Sequence, residues 1–166
     1  MFNTASKPKV KWWKAISMLI VCLPVLVALR LHWFSSQGTI LFGSQARAVF
    51  NQCSREEPSG IDGFWCPYPW NIRHLEAALP HFLDGKRNET GPLVLKDYYF
   101  QYSGFIRNRH YLIYVNAYPK DTFDITPFQT RVTAENICDG GSNFFGFEFE
   151  PATGHFNNLS FNGSLG

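Results

Sequence analysis

Apolar positions fall into three successive patterns along the chain. From Ala15 to Leu29 no charge interrupts the sequence. From Asn71 to Leu83 the apolar residues Ile72, Leu75, Leu79 and Phe82-Leu83 recur at helical spacing and form one stripe. Asn71 is a plausible N-cap, Asp84-Gly85 a stop, and Pro80 a bend or early end to the last turn. After Gly91 the pattern becomes that of strands. Leu93–Ile106 and His110–Tyr118 are dense in Tyr, Phe, Ile and Val, and Arg107-Asn108-Arg109 between them reads as a hairpin connection. Phe145, Phe147 and Phe149 alternate with Gly146, Glu148 and Glu150, a period of two. Pro151–Gly154 is a turn, and Phe156, Leu159 and Phe161 begin a closing strand. Thr130–Cys138 supplies a further strand, and 44–53 a short helix.

The first of these patterns predicts a membrane span. The uncharged run covers about 22 Å as a helix, short of the roughly 30 Å hydrocarbon core. Trp12 to Phe34 would cover about 34 Å, with Lys14 and Arg30 reaching outward to the headgroups. Trp12, Trp13 and Trp33 sit where interfacial aromatics occur. A cleaved signal peptide is the competing reading, but no small-x-small site follows the run. Lysines 7, 9, 11 and 14 precede the run and Arg30 follows it, so the N-terminus is expected inside the cell. The expected organisation is a cytoplasmic tail (1–11), a transmembrane anchor (12–34), a linker with the short helix (35–50) and an exported domain (51–166).

One helix followed by four or five neighbouring strands predicts an α+β domain. The Ile72–Leu83 helix would pack across an antiparallel meander, a cystatin-like layout in order of elements only. About 130 residues suffice for one core. Sixteen Phe and seven Tyr make that core aromatic. The net charge is +2, with the lysines concentrated near the N-terminus. A near-neutral domain lacks the electrostatic footprint of a nucleic-acid binder, so no nucleic acid is expected as partner.

Several strings look familiar together: Asn51-Gln-Cys-Ser-Arg55, Gly63-Phe-Trp-Cys-Pro67, Tyr102-Ser-Gly-Phe-Ile-Arg107, Tyr114-Val-Asn-Ala117, and Cys138-Asp-Gly-Gly141 through Phe147 to Asn162-Gly163. Across residues 50–163 the chain resembles small exported proteins of Gram-negative bacteria. That resemblance implies a bacterial envelope location and no particular activity.

Of the four cysteines, Cys22 falls in the apolar run. Cys53, Cys66 and Cys138 allow one bridge and one leftover thiol. Cys53–Cys138 is favoured because it would tie the N-terminal segment to the sheet, with Cys66–Cys138 and Cys53–Cys66 as alternatives. His74 and His81 share a helix face without metal-ligand spacing. No nucleotide-binding or nucleophile-elbow motif is present, and no cofactor or metal is expected. Glu148 and Glu150 project from one strand face, a spacing compatible with paired-carboxylate catalysis but more often a solvent face. Asp139-Gly140-Gly141 suits a tight turn or a loop that lets a ligand approach bare backbone. The triplets starting at Asn88, Asn158 and Asn162 fit the glycosylation sequon, which matters only in a eukaryotic secretory pathway.

The function expected from these residues is non-enzymatic binding at the outer face of the inner membrane, with a protein partner in the envelope. Tyr99, Tyr114 and Tyr118 together with Asp139, Gly140 and Gly141 form the candidate binding surface. A small envelope hydrolase using carboxylates or His155, and a structural or assembly factor, are the alternatives.

Overall fold

The computed structural model describes residues 37–122 and 132–163. Gly38–Ile40 forms strand β1 and Gly43–Ala48 a short helix, α1. Gly63–Trp65 is β2, and Pro69–Leu83 is the main helix, α2. Arg87–Asn88 (β3) and Gly91–Pro92 (β4) pair with each other in a small sheet of their own. Tyr98–Arg107 (β5) and His110–Pro119 (β6) make a long hairpin, and Phe145–Glu150 (β7) and His155–Phe161 (β8) a second.

Local chemistry explains the element ends. The β5–β6 loop is only Asn108-Arg109, with φ of 51° and 68°. Positive φ at both positions is what a two-residue loop needs to match the twist of the strands it joins. Helix α2 begins at Pro69, earlier than the apolar stripe indicates, because a proline in the first helical position loses no hydrogen bond. Asn71 is therefore not the cap. It is the third helical residue, and its Oδ1 accepts from the Tyr68 N–H at 3.0 Å. The helix continues through Pro80 to Leu83.

The main sheet has six strands, in the order β1-β5-β6-β7-β8, with β2 also on β5. β1 runs parallel to β5 and β2 antiparallel to it. One sheet face carries Phe100, Tyr102, Val115, Phe145, Phe147 and Phe149, buried against Ile72, Leu75, Leu79 and Leu83 of α2. Each such aliphatic side chain contributes about 1.5–3 kcal/mol by leaving water. Tyr102 reaches across to donate to Glu76 Oε1 at 2.8 Å.

The opposite face is buried too. Phe105, Leu112 and Tyr114 pack against Leu41, Val49 and Phe50. Between them lie polar residues that are also buried: Gln101, Ser103, Asn116 and Glu148. Ser103 donates to Ala46 O at 2.6 Å. Gln101 donates to Thr133 O and accepts from Glu135 N, and Asn116 donates to Glu135 O. Arg55 donates to Tyr114 Oη at 3.1 Å, to Asn162 Oδ1 at 2.9 Å, and to Asn116 Oδ1. Burial pushes the Arg55 guanidinium below its ordinary range and the Tyr114 phenol above its own.

This architecture corrects the expected one. The layout of one helix on a four- to five-stranded antiparallel sheet in cystatin-like order fails. The sheet has six strands, one of them parallel, and there are two α-helices among the described residues. Sequence reading missed β1 and β2 because three-residue strands carry no periodicity. Leu93–Asp97 ends in a 3-10 turn (Leu95–Asp97) before β5, and no strand forms over residues 132–138. No helix among the described residues is long and apolar enough to cross a membrane. Residues 12–34, assigned to a span, lie outside the described residues, as do the proposed tail and Cys22.

Cys53 and Cys138 are joined, with their Cα atoms 5.0 Å apart. The bond ties the segment after α1 to the segment before β7, both of which cover the polar face. A disulfide persists where the medium is oxidising, which points to a location outside the cytoplasm. Peptide mapping of the unreduced protein should yield a Cys53–Cys138 link. Cys53→Ser with Cys138→Ser should lower unfolding free energy by about 4–5 kcal/mol on the chain-entropy account. Urea denaturation of the two proteins checks this, and an unchanged midpoint would refute it.

Candidate functional site

The string Trp65-Cys-Pro-Tyr-Pro-Trp70 joins β2 to α2. A residue before proline is held in extended backbone, and Tyr68 is so held, with φ −79° and ψ 155°. The indole of Trp65, on β2 beside β5, lies back across the β5–β6 hairpin. Its N–H donates to Phe105 O at 3.1 Å and Leu112 O at 2.9 Å. Such close approach requires a glycine beneath it. A Cβ on Gly104 would sit 2.4 Å from Trp65 O and 2.8 Å from its Nε1. Tyr68 and Trp70 instead stack on each other, centroids 4.3 Å apart and planes 12° from parallel.

The hairpin tip supplies the opposite wall. Tyr111 meets Trp65 edge-on, with centroids 5.4 Å apart at 89°. His110 Nδ1 donates to Glu150 Oε1 at 2.6 Å, and Thr153 Oγ1 donates to Glu150 Oε2 at 2.8 Å. These bonds, His110 first and Thr153 second, hold the Glu150 carboxyl below the usual range. Between the walls is an open cleft of about 830 Å³, lined by Trp65, Cys66, Tyr68, Asn71, Arg109, His110, Tyr111, Glu150, Pro151 and Ala152. That volume lies within the range of small-ligand sites. Tyr68, Trp70 and Tyr111 are 53%, 61% and 56% exposed, the most exposed large hydrophobic side chains among the described residues. Two further depressions, at Asn88–Asn143 and at Arg47–Phe64, lack such a grouping.

Cys66, His110 and Glu150 share this cleft, the residue types of a thiol hydrolase. Their state argues against that chemistry. Partial desolvation raises the thiol of the otherwise exposed Cys66 above its ordinary pKa, and Sγ donates to Pro67 O at 3.7 Å rather than to the imidazole. An attacking cysteine needs the opposite shift and a base in reach. Among the described residues no group of three His, Cys, Asp or Glu could hold a metal ion.

The residues singled out from sequence lie elsewhere. Tyr114 and Tyr118 are 2% exposed, so they are core residues and not a recognition surface. A sheet covered on both faces buries the outward half of its period-two pattern, which the sequence reading assigned to solvent. Tyr99 is half-buried against Tyr118, with Lys120 Nζ 5.3 Å from its ring centre. Asp139, Gly140 and Gly141 form the turn before Phe144 and do not line the cleft. Gly141 has φ +60°, and Phe144 packs against Gly140. Glu148 is buried and held by both guanidinium nitrogens of Arg107, so it is not part of a solvent face. His155, offered for a hydrolase, pairs in register with Glu150. Cys53 and Cys138 are bonded to each other, leaving Cys66 free and exposed. Reading from sequence missed Trp65, Tyr68, Trp70 and Tyr111. The available signal was the density of aromatics in 65–70, a segment otherwise read as loop.

Comparison with known proteins finds no matching family model, no matching curated protein and no matching solved structure.

Two outcomes follow from this geometry. Gly104→Ala should destabilise the fold by about 1–3 kcal/mol, the usual cost of overpacking, because backbone and indole must both move. Chemical denaturation measures it, and a variant as stable as the parent would contradict the contact. A carboxylate held below its ordinary pKa adds stability above about pH 4.5, and this is lost as pH falls through the lower folded value. The stability difference between the parent and Glu150→Gln should thus be present at pH 6 and vanish in acid, read from melting curves across pH. A difference independent of pH would show that the His110–Glu150 bond is not its source.

Proposed function

We propose that this domain is a non-enzymatic binding module of an extracytoplasmic compartment and that the aromatic cleft is its recognition surface. The carrying observation is that Tyr68 and Tyr111, each more than half exposed, line one open cleft, with the exposed Trp70 stacked on Tyr68 beside it. Exposed aromatics cost solubility unless something covers them, and Tyr and Trp are the residues that anchor interfaces. Supporting it are the oriented polar groups. Glu150 fixes His110, which leaves the imidazole Nε2 for a ligand. Arg109 has no ion pair among the described residues.

A second reading, a small thiol hydrolase, draws on Cys66 and His110 sharing the cleft, and one experiment separates the two. Cys66 offers an attachment point for a photo-crosslinker, in a full-length Cys22→Ser background. Irradiation in cell extract from the exported fraction should label a defined species from Cys66 and not from a control crosslinker at Gly85→Cys. Tyr68→Ala with Tyr111→Ala should reduce the labelling about tenfold or more. Equal labelling from both positions would remove the cleft as recognition surface. Ester or thioester turnover abolished by both Cys66→Ser and His110→Ala would replace binding with catalysis.

A further inference from the structure

We infer that the cleft takes an oligosaccharide, recognised by stacking on its aromatic walls and by hydroxyl contacts to His110, Glu150, Asn71 and Arg109. The inference rests on reading the cleft as the recognition surface. Its grounds are the kinds of group the cleft offers and those it withholds.

The first ground concerns the aromatic rings. The N–H of Trp65 is already shared between two backbone carbonyls, so the indole presents ring and no donor. The negative face of an aromatic ring attracts polarised C–H groups. A pyranose carries several on one face and hydroxyls around its rim. The Tyr68–Trp70 stack beside the cleft adds a second platform, which favours more than one ring unit.

The second ground is the polar set. A hydroxyl both donates and accepts, so it suits a site with both kinds of partner close together. Glu150 supplies acceptors. Asn71 keeps its amide N–H₂ for a ligand, since Oδ1 is taken by Tyr68 N. Arg109 supplies donors, and the Nε2 of His110 faces away from the Nδ1–Glu150 bond. One guanidinium and one carboxylate nearly cancel, so neither a phosphate nor a polybasic ligand is drawn in by net charge.

Peptides are disfavoured by the same inventory. β2, which enters the cleft at Trp65, has three residues, too short an edge for an added strand. Proline-rich peptides use aromatic grooves with ring N–H and O–H donors to their carbonyls. The Trp65 N–H is committed within the fold, which leaves only the hydroxyls of Tyr68 and Tyr111 for that role and makes such a peptide the competing class to test.

Calorimetric titration of the full-length protein tests the assignment. The probes are tetrasaccharides of β-1,4-linked N-acetylglucosamine, α-1,4-linked glucose and α-1,4-linked galacturonate, with a proline-rich decapeptide as the competing class. At least one tetrasaccharide should bind with Kd below about 1 mM. Tyr68→Ala and Tyr111→Ala, both at exposed positions, should each weaken it roughly tenfold. Glu150→Gln should weaken it while circular dichroism stays native. Binding of the decapeptide alone, lost in the same variants, would overturn the saccharide assignment and leave the cleft as recognition surface. No binding by any probe, or binding that both tyrosine variants retain, would also overturn it. In the latter case, crosslinking from Cys66 decides separately whether the cleft recognises anything.

Discussion

A buried polar atom that finds no partner costs about 1–3 kcal/mol, and this domain places four polar side chains on one face of its central sheet away from water. Gln101, Ser103, Asn116 and Glu148 must each be answered by another side chain or by a covering segment, because the backbone of their own strands is used for pairing. Much else follows from that demand. Ala46 on α1 answers Ser103, and the 133–135 segment answers Gln101 and Asn116. Arg107 answers Glu148 with two nitrogens. Arg55 enters as a cation whose three hydrogen-bonding partners, Tyr114, Asn116 and Asn162, are all neutral. Gly146 makes room for this arrangement, since a Cβ there would sit 2.5 Å from the Tyr114 hydroxyl. The Cys53–Cys138 bond then secures the two covering segments to each other.

Covering both faces leaves the ends of the strands as the place for the proposed recognition surface. The tight Asn108-Arg109 turn presents Arg109, His110 and Tyr111 together at one such end. The Pro67 and Pro69 spacing brings Trp65 and Tyr68 to meet them. Side chains there are held by the scaffold. Trp65 is fixed by two carbonyls, His110 by a carboxylate, and Asn71 by a cap bond. Groups fixed in this way lose less freedom when a ligand arrives, which is the physical basis for placing binding there.

The contrast between the two tyrosine sets shows how period-two patterns mislead. Tyr114 and Tyr118 lie on the face opposite α2, and so do Gln101 and Asn116. Polar residues alternating with apolar ones read as a wet face, so the tyrosines among them read as exposed. Partners more than fifty residues away in sequence, such as Ala46 and Arg55, turn that face into an interior. Nothing within the strand announces them.

The sequence by itself determined the parts whose physics is local. The stripe of Ile72, Leu75 and Leu79 required a helix with one buried side. The Phe145, Phe147 and Phe149 alternation required a strand with one apolar face, and Arg107-Asn108-Arg109 between two apolar runs indicated a hairpin connection. An odd number of thiols in the exported part left one cysteine over. Tertiary structure alone decided how many strands share the sheet, that β1 joins it in parallel, that Glu148 is an interior ion pair, and that Trp65, Tyr68 and Tyr111 surround one cleft. Each depends on contacts between residues distant in the chain. A three-residue strand or a carboxylate's burial is set by which segment arrives opposite it, and no periodicity in the segment itself encodes that.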